Sequence, residues 1–254
     1  MAEVLAGGAP HFLETGAAAA PGRDPAPGAR PLRPVYLLAD SRLLFPHGDG
    51  EPLLARVRRH LPPSPRAAYV GASNGDDPAF YGIFAAAAET AGIAACRMIP
   101  SAPSCEDRAF LEAADLVLLA GGDVERGWRT LSVNGVGEAA VRRFRAGAVL
   151  VGVSAGAVQL GLLGWPEGGA GPEAAFPTFG LVPFVVSAHD EASDWSALRR
   201  IVRARGGGVE GLGVPAGGGV AVHPDGTLEA LRRPACRVAL SGGEAAAWLL
   251  APAG

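Results

Sequence analysis

The stretch Ala148-Val-Leu-Val-Gly-Val153, running without a spacer into Ser154-Ala-Gly-Ala-Val-Gln-Leu-Gly161, frames the reading of the whole chain. Six consecutive apolar or glycine residues read as a strand buried on both faces, as found in the middle of a parallel sheet. A polar residue then stands at the C-terminal end of that strand, where a helix begins. Within the stretch, Gly152-Val-Ser154-Ala-Gly156 has the G-x-S-x-G form. Small flanking residues let the backbone turn sharply and leave the serine hydroxyl exposed. The same turn aims the N–H of Ala155, first in the new helix, toward an oxygen that becomes negative during acyl transfer. The simpler reading of the pentapeptide is a connection in which Ser154 only caps the helix.

Working outward, residues 35–39, 67–71, 93–99 and 115–120 are further short apolar runs, and 79–91, 106–114, 135–145 and 196–205 carry helical patterns. This alternation predicts an α/β fold, a three-layer α/β/α sandwich around a mostly parallel sheet. Residues 115–120 stop at Gly121-Gly122, where glycine allows the backbone to approach the serine turn and offer a second N–H. After Val209, short runs with Pro and Gly turns predict a small C-terminal β-meander over 219–223, 227–231 and 237–240. Residues 1–32 are rich in Ala, Gly and Pro, so ordering them costs entropy with little burial in return. They are expected to form a flexible tail, leaving 33–254 as a single α/β hydrolytic domain.

Composition narrows the partners. Hydrophobic residues make up 49% of the 254, enough for a sizeable core. Against 25 acidic residues stand 22 basic ones, a net charge of -3, so there is no broad basic field and no nucleic acid partner is expected. No apolar run reaches the roughly 18 residues of a membrane span. Cys96, Cys105 and Cys236 match neither a disulfide framework nor zinc-ligand spacing. With no export pattern at the N-terminus, a cytoplasmic protein is expected. Gly71-Ala-Ser-Asn-Gly75 lacks the Lys-Ser/Thr ending of a phosphate loop, and no metal or cofactor is expected.

A serine hydroxyl needs a base within hydrogen-bonding reach. Of five histidines, His189 and His223 follow the serine. His223 precedes Pro224-Asp-Gly226, in what reads as a hairpin. His189 lies just past the apolar run Leu181-Val-Pro-Phe-Val-Val186, at the strand-end edge of an α/β sheet where catalytic groups collect.

Tyr69-Val-Gly-Ala-Ser-Asn-Gly-Asp-Asp-Pro-Ala-Phe-Tyr81, Leu118-Leu-Ala-Gly-Gly-Asp123 and Gly152-Val-Ser-Ala-Gly-Ala-Val158 occur in an order and spacing that resembles the serine peptidase family of dipeptidase E and cyanophycinase. The fold of that family is similar to class I glutamine amidotransferases. The 35 residues from Ser154 to His189 and the late segment Gly213-Val-Pro-Ala-Gly217 extend the resemblance over about 35–249. Carried over, it implies Ser154 as nucleophile, His189 as general base, and Gly122 with Ala155 as oxyanion donors. It also implies a short peptide substrate with an aspartyl or β-aspartyl group, read by cationic side chains. Asp123, Arg126 and Arg129, at and just after Gly122, are the candidate substrate-binding residues, the two arginines being the nearest candidates for a carboxylate clamp; the plainer reading of the arginines is a solvated helix face.

Two positions depart from the family pattern: Ala216 stands where relatives have a carboxylate, and Asp123 where many have Asn. A carboxylate behind the histidine fixes its tautomer and stabilises its cation. Glu173, from the loop between Ser154 and His189, is the favoured substitute; Glu167, Asp190, Glu191 and a Ser-His dyad are the others. Two further functions compete with a peptidase. One is a peptide-binding pseudoenzyme of the same fold; the other is an α/β-hydrolase esterase, in which His223 would serve as base. A homodimer is compatible with any of them.

Overall fold

The computed structural model describes residues 31–47, 50–166 and 171–252. Most of the expected tail, 1–30, lies outside the described residues, as does Glu167.

Seven strands form the main sheet: β1 (Val35–Leu38), β2 (Arg66–Val70), β3 (Ala95–Ile99), β4 (Leu116–Leu119), β5 (Val149–Val153), and, from the last third of the chain, Gly219–Val222 and Leu228–Leu231. The first five run parallel in the order β1-β5-β4-β2-β3, and β5 is the middle strand of all seven. Its burial on both faces is the reason for its unbroken apolar sequence. Alternation along β1 shows how the layers arise. Val35 and Leu37 face one core, whereas Tyr36 and Leu38 face another. On the second side pack α1 (Leu53–Arg58) and α2 (Pro78–Thr90), through Leu54, Val57 and Phe84. On the first side pack α3 (Cys105–Glu112), α4 (Val124–Val133), α5 (Val136–Arg145) and α6 (Ala155–Leu160). The expected three-layer α/β/α sandwich is the architecture observed.

Past α6, a two-residue ladder joins β6 (Leu163–Gly164) to β7 (Phe176–Pro177). Then β8 (Phe184–Ala188) pairs in parallel with β9 (Glu210–Val214), bridged by α7 (Ser196–Ala204). The C-terminal meander does not form as expected. Its first two strands, β10 (Gly219–Val222) and β11 (Leu228–Leu231), form a hairpin that adds antiparallel to β1 at the edge of the main sheet. Its third, β12 (Ala235–Ser241), leaves them to pair with β9 and with β13 (Glu244–Leu250). The result is a second sheet in the order β13-β12-β9-β8. The free edges of β1 and β9 each accept one part, because every buried edge requires hydrogen-bond partners.

The second sheet adds to the three layers. Val186, Leu212 and Val214 join the core shared with α6, and Val185 and Val238 meet Leu198, Ile201 and Val202 of α7 on the far face. All six residues of α6 are buried, held between the main sheet and β8. Among the described residues, no helix is long and apolar enough to cross a membrane.

Candidate active site

Ser154 sits at the tip of β5 with φ 49° and ψ -109°, a region that costs a non-glycine residue about 1–3 kcal/mol. Its N–H bonds to the Leu38 carbonyl at 2.8 Å, which fixes the turn to the neighbouring strand. The flanking glycines are steric requirements. A β-carbon on Gly156 would stand 2.1 Å from the Leu119 carbonyl oxygen, and one on Gly152 would stand 2.6 Å from the Gly156 backbone. The Ser154 side chain makes no capping bond to α6. Its Oγ instead lies 2.8 Å from His189 Nε2.

His189 follows the last residue of β8 and also has positive φ, 45°. Its N–H bonds to the Val214 carbonyl at 2.9 Å, one rung beyond the β8–β9 ladder. The two side chains therefore come from different sheets, not from one rim as the sequence suggested. The link is α6, whose C-terminus is tied to β8 by the Leu162 N–H on the Phe184 carbonyl at 2.8 Å.

Gly122, with φ 136°, and Ala155 border the same cleft as Ser154 and His189. Neither N–H has a hydrogen-bond partner among the described residues. The Gly122 loop is held from below by a buried polar network that sequence reasoning did not find. The Ser73 carbonyl accepts from Asp123 N–H at 2.9 Å and from the Arg126 guanidinium. Gln159, fully buried on α6, donates to Ser73 Oγ and to the Val124 carbonyl, each at 3.0 Å. A Gln inside an otherwise apolar helix after the serine was the one available signal, since a buried amide requires partners.

The expected substrate-binding residues have other engagements. Asp123 caps α4 by accepting the Arg126 N–H at 2.6 Å. Arg126 is committed to Ser73, and Arg129 pairs with Glu125 one turn away at 2.5 Å. These three residues and Glu125 line a depression of their own, which Ser154 does not border.

The carboxylates divide as follows. Glu173 lies exposed in a short turn, Pro172–Ala174, with its carboxylate folded back over Gly171, and makes no hydrogen bond to His189. Asp190 accepts the Ser193 hydroxyl at 2.6 Å. Glu191 accepts the backbone N–H of Ala216 at 3.0 Å. Among the described residues, no carboxylate bonds to the His189 ring. His223 lies at the end of β10 and faces Glu229 at 3.3 Å, without contact to Ser154, so the order of residues required by the esterase is not assembled.

A cleft of about 350 Å³ opens over Ser154 and His189, with Trp165, Asp190 and Arg200 on its walls. A serine hydroxyl free of the helix, an imidazole 2.8 Å from it and two N–H groups nearby without partners among the described residues are the parts that acyl transfer needs.

A family model described as Peptidase family S51 matches residues 56–228. Among solved structures, a peptidase from an acI-B1 Actinobacterium is similar with a TM-score of 0.65 at 15% identity, covering 88% of this chain and 96% of that one. A protein described as a candidate peptidase E from Listeria monocytogenes EGD-e is similar with a TM-score of 0.53 at 15% identity, covering 87% and 100%. At such identity the likeness is one of fold, the class I glutamine amidotransferase-like arrangement expected from the sequence. No curated protein matches the chain.

Proposed function

The chain belongs to peptidase family S51, and from that premise we propose that it is a serine peptidase cleaving a small peptide through an acyl-enzyme on Ser154. The observation that carries this reading is the 2.8 Å contact between Ser154 Oγ and His189 Nε2.

In the proposed reaction the Ser154 oxygen attacks the peptide carbonyl while His189 Nε2 takes the hydroxyl proton. The tetrahedral oxyanion accepts from the N–H groups of Gly122 and Ala155. Collapse breaks the C–N bond, and the imidazolium returns its proton to the leaving amine. Water then attacks the ester with His189 again as base, releasing the acid and restoring Ser154. No acid behind His189 is assigned a role in these steps. Residues 33–254 act as one domain in this reading, and the three free cysteines are consistent with a cytoplasmic location.

A second reading, a peptide-binding protein without turnover, draws on Ala216 and on the absence of a described carboxylate at the His189 ring. A fluorophosphonate probe separates the two. Rapid labelling of Ser154 that disappears in Ser154→Ala and falls at least about a hundredfold in His189→Ala supports the peptidase. Folded protein that takes no label removes it.

A further inference from the structure

We propose that Gln159 is a positioning residue that sets the separation of the two oxyanion donors, bracing the Gly122 loop against the helix that carries Ala155. This rests on the reading of Gly122 and Ala155 as the groups that receive the oxyanion.

The two donors belong to separate elements. Ala155 opens α6 after β5, whereas Gly122 lies in the loop that leaves β4. On either side of Gly122 the backbone is tied to the end of β2 and to the turn Ala72–Asn74 that follows it. The Ala120 N–H donates to the Val70 carbonyl at 3.1 Å, and the Asp123 N–H donates to the Ser73 carbonyl at 2.9 Å. The Arg126 guanidinium donates to the same Ser73 carbonyl. A β-carbon on Gly122 would stand 2.2 Å from that carbonyl oxygen, so loop and turn are in direct contact. The pose of the Gly122 donor therefore follows the position of Ser73.

Gln159 ties Ser73 to α6. It lies one helical turn past Ala155 on the same face, and its side chain leans back toward the start of the helix. Its fully buried amide donates to Ser73 Oγ and to the Val124 carbonyl, both at 3.0 Å. One bond fixes the turn that seats Gly122, and the other fixes the start of α4, two residues beyond it. Ser73 is buried as well, so water does not compete for the pair. Helix α4 closes directly over them: a β-carbon on Gly127 would stand 2.1 Å from Ser73 Oγ and 2.5 Å from Gln159 Nε2. Glycine inside a helix is unfavourable, and here it makes room for the two groups. Neither Ser73 nor Gln159 borders the cleft, so they act on a substrate only through the donors they place.

Two single variants and their combination test this, with all rates taken well below the lowest melting temperature so that folded chains are compared. Gln159→Leu and Ser73→Ala each leave a buried polar group without its partner. Each is expected to lose thermal stability and to label with fluorophosphonate about tenfold or more slowly, because a displaced donor no longer meets the phosphoryl oxygen. Ser73→Ala/Gln159→Leu removes both groups, so its melting temperature is expected to recover toward the parent while its labelling stays slow. A double variant that labels at the parent rate, or single variants that never slow, overturn the brace. The amide resonances of Gly122 and Ala155 in ¹⁵N-labelled protein report on it without chemistry. In Gln159→Leu and in the double variant the Gly122 resonance is expected to shift or broaden, and an unmoved resonance overturns the proposal. A parent chain that takes no label, with Gly122 displaced in Gln159→Leu, fails only the peptidase reading. A parent that labels, with Gly122 unmoved, fails only the role of Gln159.

Discussion

The Glu191 carboxylate accepts the backbone N–H of Ala216 at 3.0 Å. This bond ties the turn that follows His189 to the segment that follows β9, two residues past the Val214 carbonyl on which the His189 N–H rests. A carboxylate from one segment thus lies against the position where the family resemblance places an acid in the other.

That tie predicts a difference between two substitutions. Glu191→Gln keeps an oxygen to accept the Ala216 N–H and is expected to label with fluorophosphonate within about twofold of the parent chain. Glu191→Ala loses the anchor, lets the His189 turn loosen, and should label about tenfold more slowly, as displaced catalytic groups do. Equal losses in both variants would show that the charge of Glu191, and not its bond to Ala216, is what matters. Glu173→Gln, at a carboxylate that makes no hydrogen bond to the imidazole, should leave the rate unchanged.

Glycine substitutions should divide by surroundings. Gly156→Ala drives a β-carbon against the Leu119 carbonyl and should cost about 1–3 kcal/mol or prevent folding. Gly82→Ala, inside α2 with nothing within 4 Å of the new carbon, should stabilise by about 0.5–1 kcal/mol. Thermal unfolding checks both, and a loss of stability in Gly82→Ala would contradict the packing described.

Acid should weaken the attachment of α1 to the edge hairpin. Two hydrogen bonds from Arg56 hold the Glu229 carboxyl below its ordinary value of 4.5. A depressed carboxyl stabilises the folded state fully above its unfolded value, and the contribution fades as pH falls through the lower folded value. Glu229→Gln should therefore lower stability by about 0.5–1 kcal/mol at pH 7, with the gap to the parent closing below pH 4.5. A gap that stays constant from pH 7 to pH 3 would refute the linkage.

Alkylation should select among the cysteines. Burial pushes the Cys96 thiol up to about 11 and also raises that of Cys236, whereas Cys105 is exposed at the start of α3. Iodoacetamide on the native chain at pH 8 should modify Cys105 first, because the thiolate is the reactive form and must be reached. Peptide mapping that finds Cys96 modified as fast would overturn this.

Much of the framework was legible because it is local. An unbroken apolar run, a serine and two glycines at fixed spacing specify a buried strand, a sharp turn and a helix through sterics acting within a few residues. Short apolar runs and helical patterns located β1 to β4, α2, α3, α5 and α7 to within a few residues. The pairing of Ser154 with His189 was legible only through a resemblance, since nothing within 35 residues of intervening chain dictates where the second partner lands.

What the tertiary structure decided was partnership. Strand propensity marks 219–223, 227–231 and 237–240 as extended but carries no record of which edge each will join, and the third segment separated from the other two. A helix face is equally silent: Arg126 and Arg200 are alike as residues, and only the assembled fold brings the Ser73 carbonyl to the first and turns the second toward the cleft. Local sterics act along the chain and can be read from it, whereas hydrogen-bond and charge pairing act through space and exist only once the sheets have assembled.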